Sequence, residues 1–502
     1  MQVSVLRPVV FKQLTRGISV TAETKEHTAL KPWTNIPGPR SLPIFGILHQ
    51  FLPGGRLQFF IANESMTVLK LYNAYGPIVR LGAYVGQNPM VFLYDAQSIE
   101  QIHRGENEFP IRRGFESLVY YRKNHKQHKV QNKPTGLVSE HGELWKEFRS
   151  TVNPVLLQPK TIKLYTESLD EVAMEMIERM KTIRDENNQI KDFAKDLNLW
   201  SLESIGVVAL GCRMNCFDPN MKEDSAAYQL IDVVQNIFKA GDELDFKPSL
   251  WKLFATPAFK KAMKIYEKQE ILARHFIDEA VEEIERNPKP DSQKGVLEKL
   301  LDINKDFAYI MASDMLLAGV DTTSNSILGI LYLLAKNTEK QNKLREELRT
   351  NPGNKAYLKA CVKEGIRMMP VVSGNMRETS KEYEILGYRI PKGCQIAFAH
   401  QDMSLMEQYF VRANEYLPER WVAEKDDPLF YRNAHPFAYN PFGFGVRSCI
   451  GRRIAELEME TFVGRAIENF EIEWFGPAPK QSQTSLNYVV GPLNFIFKDA
   501  KV

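Results

Sequence analysis

Phe442-Gly443-Phe444-Gly445-Val446-Arg447-Ser448-Cys449-Ile450-Gly451 is the stretch that decides how this chain is read. A thiolate that serves as a metal ligand needs a rigid loop turning backbone N–H groups toward the sulfur, because those contacts tune its basicity. Glycines at 443, 445 and 451 allow the tight turn and the close approach of a flat macrocycle. Arg447 offers a cation for an anionic substituent on such a ring. Gly451 has no side chain to obstruct the ring, so a helix can leave from Arg452 onward. A lone buried cysteine beside a turn would explain Cys449 by itself; it does not explain the whole string.

The string resembles the haem-binding signature of cytochromes P-450, Phe-x-x-Gly-x-Arg-x-Cys-x-Gly, and fits it at every fixed position. The resemblance implies haem b with Cys449 as the axial ligand of the iron, Phe442, Gly443 and Gly451 against the ring, and Arg447 on a propionate. Other landmarks of that family follow in order along nearly the whole chain. Glu364-Gly365-Ile366-Arg367 resembles the Glu-x-x-Arg helix, and Pro418-Glu419-Arg420-Trp421 resembles its partner segment. Residues three apart share a helix face, so Glu364 and Arg367 can pair and lock onto Arg420. Such a network holds the cysteine loop and does no chemistry itself.

Ala318-Gly319-Val320-Asp321-Thr322-Thr323 interrupts a long apolar helix with residues that conflict with helix propensity, and such conflicts mark functional positions. Gly319 is expected to leave room for a diatomic ligand over the ring. Thr322 is expected to hydrogen-bond bound oxygen, and Asp321 to relay protons from solvent. The stretch resembles the family's oxygen-activation motif, which implies the same roles. Trp145-Lys146-Glu147-Phe148-Arg149 resembles the family's Trp-x-x-x-Arg helix; residues four apart share a face, so Trp145 and Arg149 can reach one propionate. Arg377 stands where the family places another propionate-binding cation.

Bulk properties bound the rest. The 502 residues are 44% hydrophobic and 25% charged, enough to build a core that encloses a large cofactor. Net charge of only +3 gives no reason to expect a nucleic-acid partner. Five cysteines, an odd and sparse set, fit a reducing compartment, and Cys212 with Cys216 lacks companions at zinc spacing. Apolar residues recur at three and four over Thr161–Ile190, Leu197–Leu210, Ala258–Ile284 and Val296–Leu348, the last divided at Asn337. Strand-like runs are few: Ile78–Leu81, Met90–Tyr94, Ile385–Ile390 and Gln395–Ala399. The expected fold is mainly α with minor β (α+β), one domain over 35–502. Residues 1–34 read as a mitochondrial transit peptide and extension: Arg7, Lys12 and Arg16 intersperse with apolar and hydroxyl residues before the first acid, Glu23. No leading run is long enough to span a membrane. Ile36 to Pro43, with three prolines, reads as a stiff hinge.

Lys359 and Lys363 share a helix face, and Arg452 and Arg453 follow the cysteine loop; together they would steer an acidic electron donor. The pattern resembles mitochondrial members of the family, implying an adrenodoxin-like ferredoxin served by an NADPH-dependent reductase on the matrix side of the inner membrane. Trp200-Ser201-Leu202-Glu203-Ser204, the run from Val152 to Lys160 and Phe442–Gly445 resemble the insect mitochondrial group, family twelve. That group implies oxidation of foreign lipophilic compounds with O2; steroid and ecdysteroid hydroxylases are the near alternative. A donor-independent isomerase or a non-catalytic haem protein would be the more distant ones. The connection from Leu348 to Tyr357 is shorter than usual in the family, which bears on ferredoxin docking. Aromatic and basic residues interleave from Phe246 to Lys261, a composition suited to shallow contact with an anionic membrane. Residues 110–135, 230–260, Val371–Asn375 and Leu486–Pro492 are expected to line the substrate cavity.

Overall fold

The computed structural model describes residues 29–501 apart from 44, 62–66, 85–86, 125–132 and 223. Most of the transit-peptide segment, and part of the 110–135 loop, therefore lie outside the described residues. Helices dominate, and short strands among the described residues form one four-stranded mixed sheet, one three-stranded sheet and two two-stranded sheets. The mainly α, minor β class expected from periodicity is what is found.

The central element is the helix Lys305–Lys336, buried on nearly all sides. The apolar run from Val296 breaks earlier than periodicity suggests. Asn304 adopts an extended conformation and its side chain accepts from the Phe307 N–H, so it caps the long helix and separates it from Val296–Ile303. Likewise Thr161–Ile190 resolves into Pro159–Lys163 and Thr166–Ile183. The helix Phe193–Leu210 packs closely along the long helix, and the Ser201 hydroxyl donates to the Gly319 and Val320 carbonyls. Ala356–Met368 crosses it at Gly365, where an added Cβ would meet Ile330 at 2.5 Å. Arg452–Asn469 starts directly after the cysteine loop and packs on both.

A second apolar core surrounds the mixed sheet, ordered Ile78–Leu81, Met90–Leu93, Gln395–Phe398, Asn375–Glu378. Asn375–Glu378 is an edge strand, which tolerates its polar sequence and hid it from a search for apolar alternation. The run Ile385–Ile390 is not one strand: Leu386 and Gly387 take positive φ and turn a hairpin between Tyr383–Ile385 and Tyr388–Ile390. Nor is the proline segment a free hinge. The Pro37 carbonyl accepts from the Arg80 N–H, an added Cβ on Gly38 would lie 2.0 Å from the Arg80 oxygen, and Arg80 stacks over Trp33. The segment is clamped to the sheet.

Candidate active site

Gly443 and Gly445 both take left-handed φ, near +72° and +69°, where a side chain is strained. The turn they make lets the Cys449 N–H donate to the Phe442 carbonyl at 2.8 Å. The Cys449 thiol keeps accessible surface yet lies deep in the fold, so surrounding protein raises its pKa. The Gly451 N–H, Arg149, Arg112 and Arg452 all pull it back down. Those four contacts favour the thiolate form against the burial that opposes it.

Four arginines converge here. Arg447 is buried, its guanidinium stacked 3.7 Å from the Trp145 ring centroid and donating to the carbonyls of Pro110, Leu137 and Glu140. Arg149 donates to the Ser448 carbonyl, so Trp145 and Arg149 both grip the cysteine loop from one helix face, Gly142–Leu156. Arg377 pairs with Glu106 at 2.5 Å. The fourth, Arg112, was not foreseen; next to Arg113 it looks like an ordinary surface doublet, and only the fold turns it inward. Burial pushes all four cations down, and repulsion among them adds to it at Arg112, Arg149 and Arg447; Arg149 falls to about 10 and Arg447 to about 8. Among the described residues, Glu106 and the Cys449 sulfur are the anions that act on them. Buried charges persist only where something neutralises them, so this cluster fits a ligand carrying two carboxylates beside a ring over the sulfur.

Glu364 and Arg367 are fully buried and Arg420 is 1% exposed. The Arg367 guanidinium donates to both Glu364 oxygens, at 2.9 and 2.8 Å, and Arg420 donates to Oε1 at 2.9 Å. The Leu417 N–H and the Trp421 indole N–H complete the carboxylate's shell. Tyr439 donates to the Lys363 carbonyl and packs on Trp421, tying this lock to the segment leading into the cysteine loop.

On the opposite side, Ala318 and Thr322 open onto a cavity of about 410 Å³, while most of their helical neighbours are buried. Phe115, Phe238 and Phe246 meet edge to face in its wall. The expected segments 110–135, 230–260 and 371–375 contribute to the lining, but of Leu486–Pro492 only Leu486 does. Residues of the mixed sheet, such as Met90 and Phe92, line it unforeseen. The Thr322 hydroxyl donates to the Ala318 carbonyl at 2.7 Å. Asp321 is fully buried, its Oδ2 accepts from the Tyr488 hydroxyl at 2.9 Å, and burial raises its pKa to about 6. Gly319 requires a correction: an added Cβ would meet Ile205 at 2.5 Å, so the missing side chain admits the neighbouring helix and not a diatomic ligand.

Lys359, Lys363, Arg452 and Arg453 are all exposed. Lys355, Lys359 and Lys363 act together on Glu460 of the helix Arg452–Asn469, the helix that Arg452 and Arg453 begin. The short connection before them is well formed, because the Glu347 carboxylate accepts from the Tyr357 and Leu358 N–H groups and caps the helix.

A cysteine loop ringed by cations suits a haem thiolate, and sequence comparison agrees: residues 36–498 match the family described as Cytochrome P450, and the chain belongs to that family. It is thus a monooxygenase with haem b as cofactor. Cytochrome P450 CYP12A2 of Musca domestica is 38% identical, covering 98% of this chain and 96% of that protein. Cytochrome P450 12b1, mitochondrial, of Drosophila acanthoptera is 34% identical over 93% of this chain and 90% of that protein. Within the family the chain therefore stands with the insect mitochondrial group, family twelve. A retinoic acid bound cyanobacterial CYP120A1 superposes with a TM-score of 0.72 at 18% identity, covering 94% of this chain and 100% of that one, and shares the fold.

Proposed function

We propose that the chain binds haem through the Cys449 sulfur and oxidises a lipophilic, foreign small molecule in the mitochondrion, on the matrix side of the inner membrane. Bound haem supplies the activation of O2. The observation that carries this reading is the cluster of Arg149, Arg377 and Arg447, buried around the cysteine, with Arg112 half-buried beside them and one carboxylate among them. These arginines hold the two propionates. Phe442, Gly443 and Gly451 shape the loop that presents the sulfur, and Trp145 orients Arg447 by stacking. Glu364, Arg367 and Arg420 keep that loop in place. Thr322 presents its hydroxyl to the cavity, and Asp321 holds the proton it passes on.

Electrons come from an adrenodoxin-like ferredoxin, itself reduced by an NADPH-dependent reductase. The exposed face of Lys359, Lys363, Arg452 and Arg453 supports this docking, because exposed cations steer an acidic partner. The apolar cavity wall supports lipophilic substrates. Leu253 and Phe254 are 77% and 57% exposed beside exposed Lys260 and Lys261, which supports shallow contact with the membrane. The test is the carbon monoxide difference spectrum of the reduced protein. Wild type should give the thiolate band, and Cys449→Ser should lose it. A Cys449→Ser protein retaining that band would overturn the assignment. Substrate class is read from spin-state shifts with foreign compounds against ecdysteroid precursors; a response confined to the steroids would move the reading to steroid hydroxylation.

A further inference from the structure

Asp321, the acid given the relay role above, is held by a strand that sequence reading did not foresee. Asn487–Val490 pairs with Lys480–Gln483 in a hairpin near the C-terminus. Two successive residues of that strand dock on the long helix. The Tyr488 hydroxyl donates to Asp321 Oδ2 at 2.9 Å, and the Val489 N–H donates to the Asn325 side-chain oxygen at 3.1 Å. The Asn325 amide in turn donates to the Asp321 carbonyl. Asp321 Oδ1, by contrast, is buried with no hydrogen bond to it. Carboxylate oxygens are not equivalent in such a setting: one is occupied, and the other is free to carry a proton.

From the helix Ala226–Gly241, Gln235 and Lys239 act on Asp321, and Lys239 is exposed to solvent. Asp242, at the end of that helix, faces Tyr488. The helix Arg452–Asn469 contributes Glu458, which accepts from Thr323. Phe193–Leu210 contributes Ser201, which serves the Gly319 and Val320 carbonyls. Of these groups, Tyr488 donates to Oδ2 at 2.9 Å, and Gln235 is a further hydrogen-bonding neighbour of the carboxyl group. The same hairpin reaches the cavity: Thr484, Ser485 and Leu486 line it, and the Ser485 hydroxyl donates to the Phe238 carbonyl.

We propose that Tyr488 is a positioning residue of the proton relay, occupying Oδ2 of Asp321 so that Oδ1 is the oxygen that passes a proton toward Thr322. This rests on the relay roles given to Asp321 and Thr322 above. The step involves no change of oxidation state in the relay. The Asp321 O–H bond breaks and its proton passes to a water molecule, which protonates the Thr322 hydroxyl as that hydroxyl releases its own proton into the cavity; no direct hydrogen bond joins Oδ1 to Thr322, whose hydroxyl donates to the Ala318 carbonyl. Asp321 then regains a proton from solvent along the Lys239 side. A hydroxyl donating to a carboxylate stabilises its charged form, so removing that hydroxyl raises the midpoint at which Asp321 takes up a proton.

The experiment uses the haem-loaded full chain and Tyr488→Phe, which keeps the ring and removes only the hydroxyl. The infrared C=O band of protonated Asp321, identified by its loss in Asp321→Asn, is titrated with pH. Tyr488→Phe should raise the midpoint by about one unit, a tenfold change in proton affinity. Product formed per NADPH should fall severalfold in the otherwise wild-type background, with hydrogen peroxide rising in its place. In the Asp321→Asn background the same substitution should add nothing, because partners in one network are not additive. An unchanged midpoint, or an equal loss of coupling in the Asp321→Asn background, overturns the assignment. The carbon monoxide spectrum separates this from the haem reading: its absence in wild type strikes the monooxygenase proposal, whereas the infrared midpoint reads the Tyr488 contact in either case.

Discussion

Replacing Arg112 with Met should move two measurements in opposite directions. Arg112 stands against Cys449 and Arg377, with burial and the neighbouring guanidinium both depressing its pKa. In the chain without haem it is a half-buried cation at the cavity wall, repelled by its neighbour. Methionine fills similar volume without charge, and removing an unneutralised buried charge stabilises a fold by about 1–3 kcal/mol. The sign follows from linkage: a base whose folded pKa is depressed costs stability in full below that folded value, and the cost fades as pH rises from it toward the unfolded value. With haem bound, the same arginine is expected to face a propionate, and losing one charge-assisted hydrogen bond costs about 1.5–3 kcal/mol, roughly 10- to 150-fold in affinity. Urea unfolding of the haem-free protein reads the first quantity, and the rate of haem transfer to excess apomyoglobin reads the second. Arg113→Met is the control, since Arg113 is exposed and pairs with Glu378; exposed pairs contribute about 0–1 kcal/mol, so both readings should barely move. The reasoning fails if Arg112→Met destabilises the haem-free chain, or if haem leaves it no faster than wild type.

Glu364→Gln keeps the shape of the lock and removes its charge. Two buried guanidiniums then lack their counterion, which should cost about 3–5 kcal/mol against a total near 5–15 kcal/mol. Lower haem content and an earlier denaturation midpoint are expected, and an unchanged midpoint would disprove the structural role. The double variant Lys359→Glu with Lys363→Glu should weaken ferredoxin binding roughly tenfold at low ionic strength, with the defect shrinking as salt is added. Arg452→Glu should matter less, because Arg452 already pairs with Glu456 at 2.9 Å. Binding that ignores all three changes would move the docking site elsewhere.

How much was legible depended on whether a residue's role is local. The cysteine loop was readable because its glycines answer a backbone demand within ten residues: two of the three do sit at positive φ. Glu364 and Arg367 were readable because helical spacing alone brings them together, and the structure adds Leu417 and Trp421 as further donors that no spacing could announce. The long helix was visible as periodicity, yet its start was misplaced, because the capping Asn304 interrupts an apolar pattern that continues across it. Gly319 was misread for a related reason. A glycine in a helix reports that something comes close, and only the packing shows that the something is Ile205. Arg112, Glu106 and Tyr488 were invisible, since each meets its partner from far along the chain, by 271 residues for Glu106 and Arg377 and 167 for Tyr488 and Asp321.

The net charge of +3 hides two positive features built for different ends. The arginines around Cys449 are buried, so their mutual repulsion is weakly screened and makes the haem-free state less stable than it could be. That cost becomes binding energy when a dianionic ligand arrives, and salt should scarcely alter it. The lysines at 359 and 363 are exposed, so their field reaches a partner before contact but fades over a Debye length of about 8 Å at physiological salt. A salt titration therefore separates the two: ferredoxin association should slow steeply as ionic strength rises, while the rate of haem loss should stay nearly constant.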